Sequence, residues 1–324
     1  MAHQRKPVPP DTVGNVLRRL SVIKRKYPDA DFATVVSRRE EFTPHLLQML
    51  EQFVDNPESV LEIPDYFGHL AAMYLLAQFR EEQALPLLLR LCIDTPALIL
   101  DTVLCGAGAE DLSSILASVS GGSIDALRPL AEARGISPDT RSIALEAMAI
   151  LLIDAAISRA ELVAYLSTYA DQLRQGRDFR MWTPLARVAA GLALHELREP
   201  LRWACEQHRV DPDAITSEEL EEDLSDDPDA ALLRCAKVKA QHQINNAANR
   251  MRPLVRSKND AEVSPEMLAA EKLLADVMED LLERNRPARR DRSALSPVAS
   301  LKDAGPNAPC SCGSGKKFKD CCGS

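Results

Sequence analysis

Aromatic residues make up only 4% of this 324-residue chain, and its thirteen glycines are outnumbered by twenty-one prolines. Strands draw on aromatic and β-branched residues, so this scarcity argues against a β-sandwich. Few glycines beside many prolines point to repeated helix starts and stops rather than hairpin turns. No segment sustains the apolar–polar alternation of a half-buried strand. No hydrophobic run is long enough to cross a bilayer, because the most apolar stretch, 143–157, is short and interrupted by Glu146 and Asp154. The first ten residues carry basic side chains without an apolar core, unlike a secretory signal. A Walker phosphate loop is missing as well. The expected location is cytoplasmic, where thiols stay reduced and a tight cysteine cluster reads as a metal site before a disulfide.

What is present is leucine, alanine and helical periodicity, with a hydrophobic fraction of 46% that can fill a core. Val16, Leu17, Leu20 and Ile23 share one face of a first helix, closed by Tyr27-Pro28. Thr43-Pro44 reads as an N-cap followed by proline at the first helical position. Paired helices follow: 66–79 with 84–93, 140–153 with 159–169, and 182–195 with 200–208. A long amphipathic helix is expected over about 229–251. A further helix over 265–286 carries Met267, Ala270, Leu274, Val277 and Leu281 at steps of three and four. The predicted fold class is all-α: a HEAT-like helical-hairpin repeat solenoid with a small C-terminal zinc knuckle. The predicted domains are a helical body at 1–286, a linker rich in Pro, Arg, Ser and Ala at 287–308, and the knuckle at 309–324.

Charge is unevenly placed. The net charge of −9 speaks against DNA as a partner. Ten carboxylates and no basic residue lie between Asp211 and Asp229, whereas 287–324 holds seven basic and three acidic residues. The acidic run reads as a solvated face, or as a docking site for a basic partner. A linker of about twenty residues reaches roughly 25 Å, enough for the basic tail to visit the acidic run through weak, salt-sensitive contacts.

Four of the eight cysteines fall within thirteen residues: Cys310, Cys312, Cys321 and Cys322. Two thiolates at each end of a short hairpin suit tetrahedral zinc, whose Zn–S bonds are about 2.3 Å long. Gly313 and Gly315 let the chain reverse between them. Lys316, Lys317 and Lys319 offset the formal −2 of a four-thiolate site, and they form the candidate partner-binding surface. A segment this short buries too little to fold alone. One structural Zn²⁺ would therefore supply most of its folding free energy, roughly 10–16 kcal/mol in comparable peptides. Protein fills all four positions, so no open coordination site is left for catalysis.

The run from Asn307 to Gly323, with Cys310-Ser311-Cys312, Gly313-Ser314-Gly315-Lys316-Lys317 and Cys321-Cys322, resembles the SEC-C motif, the zinc-binding C-terminus of the SecA translocation ATPase. In SecA that motif contacts the chaperone SecB and the ribosome, so the resemblance implies a protein or ribosomal partner here. Three positions depart from the pattern: Cys322 stands where SecA has His, Ala308 replaces Asp and Pro306 replaces Arg. Further upstream, Leu100, Glu110-Asp111-Leu112, Ile115-Leu116-Ala117-Ser118, Asp125-Ala126-Leu127 and 141–147 resemble a bacterial family of unknown function. That resemblance implies a HEAT-like helical body with a SEC-C tail, and it names no reaction.

Other candidates read more simply. Cys105-Gly106-Ala107-Gly108-Ala109 lacks a preceding strand and reads as a turn between helices. Asp65 and His69, one helical turn apart, read as a capping Asp and a partly buried His rather than ligands. His195-Glu196 reads as surface. Cys92, Cys105, Cys205 and Cys235 read as small core residues, and Trp182 and Trp203 as structural. The expected function is that of a non-enzymatic, zinc-binding interaction or adaptor protein. Its alternative is a hydrolase built from Asp65, His69, His195 and Glu196, with the knuckle as a targeting module.

Overall fold

The computed structural model describes residues 11–260, apart from 24–25, 64, 106, 177 and 239–241, with the side chains of 107–110 and 256–260 also outside the description. All regular structure among these residues is helical, joined by one isolated bridge between Val22 and Tyr66. None of these helices is long and apolar enough to cross a membrane. The expected helix at 265–286, the linker at 287–308 and the knuckle at 309–324 lie outside the described residues.

Helices α1 (Val13–Ser21), α2 (Asp29–Ser37) and α3 (Arg39–Asp55) open the fold, followed by α4 (Gly68–Phe79) and α5 (Ala84–Asp94). Thr12 caps α1 by accepting the Asn15 amide, which satisfies one of the orphan N–H groups of the first turn. Next come α6 (Ala97–Val103), α7 (Ala107–Val119), α8 (Ile124–Ala131) and α9 (Pro138–Ile153). Gly121 and Gly122, both at positive φ, make the tight turn between α7 and α8. The series continues with α10 (Arg159–Gln175), α11 (Trp182–Gly191), α12 (Arg198–Glu206), α13 (Ser217–Leu224), α14 (Pro228–Cys235) and α15 (Ala247–Asp260).

Two helices are apolar on nearly every side. α4 buries almost every residue from Gly68 to Phe79, and α9 buries most of those from Thr140 to Leu152. A helix without a polar face must be surrounded. Accordingly α4 packs on α7, α7 on α9 and α9 on α11, a central row that the amphipathic helices cover. α15 returns across the sequence to pack on α4 and α2.

The paired helices start close to their expected positions, but α10 runs on to Gln175 and α11 stops at Gly191, and two further details differ. α3 begins at Arg39, so Pro44 lies inside the helix instead of at its first position. Phe42 is fully buried beneath the Arg38 guanidinium, and its burial draws the chain ahead of Pro44 into the helix. The cost is one missing N–H to the Glu40 carbonyl. Pro44→Ala is therefore expected to raise stability by about 1–2 kcal/mol, read from the urea midpoint, the gain being tempered by a more flexible unfolded chain.

The long helix expected over 229–251 is broken into α14 and α15. Asn246 accepts the Asn249 amide and starts a new helix, while 242–245 bond elsewhere in the fold. The acidic run holds the ordered helix α13, with most of its carboxylates exposed, in keeping with the expected solvated face. A capping box joins Thr216 and Glu219, and Leu220 and Leu224 are buried. Much of its charge is engaged locally. Glu221 meets Arg198 at 3.4 Å and Arg202 at 2.9 Å, Asp226 pairs with Arg234, and Asp227 caps α14.

Candidate functional site

A groove of about 800 Å³ opens between α9, the length of α11 and the segment 208–214. Its apolar floor comes from Ala149, Ile150, Ile153, Val188 and Leu192, side chains that follow helical spacing along one edge of α9 and α11. Cys235 and Val238, from α14 and the residues just after it, form the far wall. The Cys235 thiol donates to the Gly191 carbonyl at 3.3 Å, fastening that wall to the end of α11.

The rim is charged in both senses. Arg180, Arg187 and Arg209 line it and are exposed, and no described carboxylate lies within ion-pair distance of them. Arg209 lies over the ring of Phe179, 5.1 Å from its centroid, and that ring is 48% exposed. Asp139, Asp211 and Glu146 supply the opposite charge. Burial raises the Glu146 carboxyl above its ordinary range against the pull of Arg187. Segment 208–214 is held in place where the Asp211 amide donates to Thr183 Oγ1 at 2.9 Å. These groups can hold a chain of mixed polarity along an apolar floor.

A second polar site lies in the interior where α4, α7 and α15 meet. Tyr74 donates to Asp111, which also takes the Arg250 guanidinium at 2.6 Å, and Arg250 reaches Ser114 Oγ at 3.3 Å. Burial, reinforced by Asp111, pushes the Tyr74 phenol well above its ordinary value and keeps it a donor. This network ties α15 to the central row.

The remaining sequence candidates fall into structural roles. His69 is buried, bonds the Val103 carbonyl at 2.8 Å and packs against the rings of Phe53 and Tyr66. Asp65 does not cap α4, since its φ of 59° places it in the left-handed region and its carbonyl accepts the Ile23 amide. Glu196 bonds Arg159 at 2.8 Å, with His195 3.9 Å away. No described hydrogen bond or ion pair joins Asp65 or His69 to His195 or Glu196. Cys105 lies in a turn after α6, whereas Ala107, Gly108 and Ala109, expected in that turn, already begin α7. Burial pushes the Cys92 thiol up to about 12, and Trp182 is buried against Trp203. Among the described residues, no group of three His, Cys, Asp or Glu could hold a metal ion. Cys310, Cys312, Cys321 and Cys322, with Lys316, Lys317 and Lys319, lie outside them.

The sequence reading passed over the groove. Its three arginines come from separate elements, and only the exposed Phe179 beside Arg180 gave a local signal.

A SEC-C motif at residues 307–324, on an all-helical body, defines the class of protein. Residues 12–255 match the family described as "Protein of unknown function (DUF1186)", and the chain belongs to that family. An uncharacterized protein of Chlamydia muridarum (strain MoPn / Nigg) is 30% identical over 212 residues, 64% of this chain and 83% of that protein. A counterpart from Chlamydia trachomatis serovar D is 29% identical over 64% of this chain and 82% of its own length. The protein translocase subunit SecA of Trichlorobacter lovleyi is 41% identical over 56 residues, 15% of this chain and 6% of that protein. No solved structure matches the chain.

Proposed function

We propose that this protein is a cytoplasmic adaptor without a reaction of its own, built from a HEAT-like helical scaffold and a zinc knuckle at its C-terminal end. The observation that carries this reading is the SEC-C match at 307–324, within which all four thiol ligands stand at the motif's spacing. Cys310, Cys312, Cys321 and Cys322 hold one structural Zn²⁺ and fix the turn that presents Lys316, Lys317 and Lys319. Those lysines meet an acidic protein surface or ribosomal RNA, and the SecA likeness makes a SecB-like chaperone or the ribosome the first partners to test. The body contributes the groove between α9 and α11, where apolar floor and charged rim suit a second protein chain.

Affinity capture with the whole chain, with a chain ending at Arg286 and with a Cys310→Ser/Cys321→Ser variant tests the division of labour. A partner of the tail is expected only with the whole, metal-loaded protein. Equal recovery of every partner by all three baits would remove any role for the knuckle.

A further inference from the structure

His242 lies four positions after Val238 of the groove's far wall, and both of its ring nitrogens face acceptors. Nδ1 lies 2.5 Å from Asp154 Oδ1, and Nε2 lies 2.8 Å from the Ala236 carbonyl oxygen. A neutral imidazole carries one N–H and one lone pair, so it can satisfy only one of these contacts. With its proton on Nε2, the Nδ1 lone pair would face a carboxylate oxygen at 2.5 Å. With its proton on Nδ1, the Ala236 carbonyl would lose its donor. Two donors are needed at once, and the imidazolium supplies them.

The segment that His242 begins is a strap across the ends of the central helices. The Gln243 amide donates to the other Asp154 oxygen at 2.8 Å, at the C-terminal end of α9. The Ile244 amide donates to Ser118 Oγ on α7 at 2.7 Å. Arg80, at the end of α4, donates to the Ile244 carbonyl and to Asn245 Oδ1, and the Ala247 amide donates to Gln78 Oε1. Asp154 adjoins Ile153 in the groove floor, and Val238 in the far wall shortly precedes His242. The latch therefore lies where the strap and the groove meet.

We propose that doubly protonated His242 is a latch that fastens strap 242–247 to α9 and holds the groove's far wall in place, so that the groove responds to proton concentration. The inference stands apart from the adaptor reading, since it concerns the body whatever the groove receives. Among the described residues the charged groups acting on the ring are Asp154 at the C-cap of α9 and Arg250 from α15, with Arg80 at the end of α4 acting on Asp154. The bonds to Asp154 and to the Ala236 carbonyl raise the His242 pKa above its ordinary 6.5, against burial and the Arg250 charge. A group whose pKa is raised on folding stabilises the folded form fully below its unfolded pKa. That contribution is lost as pH rises through the folded value. The strap is thus seated in mild acid and loosens toward alkaline pH.

Two measurements on the full chain test this. NMR of the His242 Cε1–H resonance is expected to titrate above 6.5, and the titration to move downward in Asp154→Asn, whose amide N–H can donate to Nδ1 of a neutral ring that keeps its Nε2–H on the Ala236 carbonyl. Hydrogen exchange of 242–247 from about pH 5.5 to about pH 8.5, corrected for intrinsic rates, is expected to show opening that grows about tenfold per unit of His242 pKa displacement. Asp154→Asn should flatten that dependence. Titration of wild-type His242 at or below 6.5, or strap protection equal at both ends of the range, overturns the proposal, whether or not the variant folds.

Discussion

Replacing Cys310 and Cys321 together by serine is expected to take bound zinc from about one per chain to none, the largest single effect anticipated for this protein. In the proposed site each substitution removes one of the four thiolates. A segment so short would depend on the metal to fold, and roughly 10–16 kcal/mol of binding free energy would be lost with it. The helical body should not notice. Its core runs through α4, α7, α9 and α11 and is closed by α15, all upstream of the motif. Elemental analysis reports the first quantity and a thermal melt of the variant the second. Full zinc retention, or a large fall in the main transition, would show that the metal is held elsewhere or built into the body.

The second large effect concerns closure of the body. Asp111→Ala is expected to cost about 3 kcal/mol, because it strips the carboxylate from a partly buried arginine and from the buried Tyr74 in one step. Tyr74→Phe keeps the Asp111–Arg250 pair at 2.6 Å and removes one hydroxyl, so about 1 kcal/mol is expected. Urea unfolding of the two variants gives the contrast directly. Similar losses for both would mean that the Arg250 contact contributes little and that α15 is held by its other contacts. Those are the buried Ala247, Met251, Leu254 and Val255, the Ala247 amide on Gln78, the Tyr27 hydroxyl on the Ala248 carbonyl and the Arg252–Asp29 pair.

Local signals carried most of the helix assignment. Ala84 begins α5 and Ile153 ends α9 where periodicity placed them, because a run of Leu and Ala at helical spacing needs only a neighbouring apolar surface to form. Ser158 and Glu161 form a capping box at the start of α10, where the expected helix also began. Thr43-Pro44 was misleading, because α3 packs on α4 and α5, which no window around Pro44 contains, and Phe42, ahead of the proline, is fully buried. The break between α14 and α15 has the same origin. His242, Gln243 and Ile244 leave the helix to bond Asp154 and Ser118, 88, 89 and 126 positions away in sequence.

Sites followed a similar division. The SEC-C motif was readable because it is contiguous, and the family model matches there, while the proposed zinc ligands and lysines lie outside the described residues. The groove and the His242 latch are assembled from separate helices, so no spacing rule reveals them. The acidic run illustrates the converse. Ten carboxylates without a basic residue looked free in sequence, yet Arg198, Arg202 and Arg234 from neighbouring elements take up Glu221 and Asp226. A basic tail resting on this run would find less open charge than the sequence implies, and any such contact must be weak and screened by salt.

The central claim is that the metal-loaded knuckle makes this helical protein an adaptor, and titration against purified partners tests it most directly. Labelled whole protein is mixed with purified ribosomes and, separately, with a SecB-type chaperone, with and without prior zinc chelation. Saturable binding to one of them is expected, lost on chelation and in the chain ending at Arg286, and weakened at least tenfold by Lys316→Glu, Lys317→Glu and Lys319→Glu together. Binding unchanged by chelation, truncation and charge reversal alike, or no binding of the zinc-loaded protein to either partner, would contradict the account.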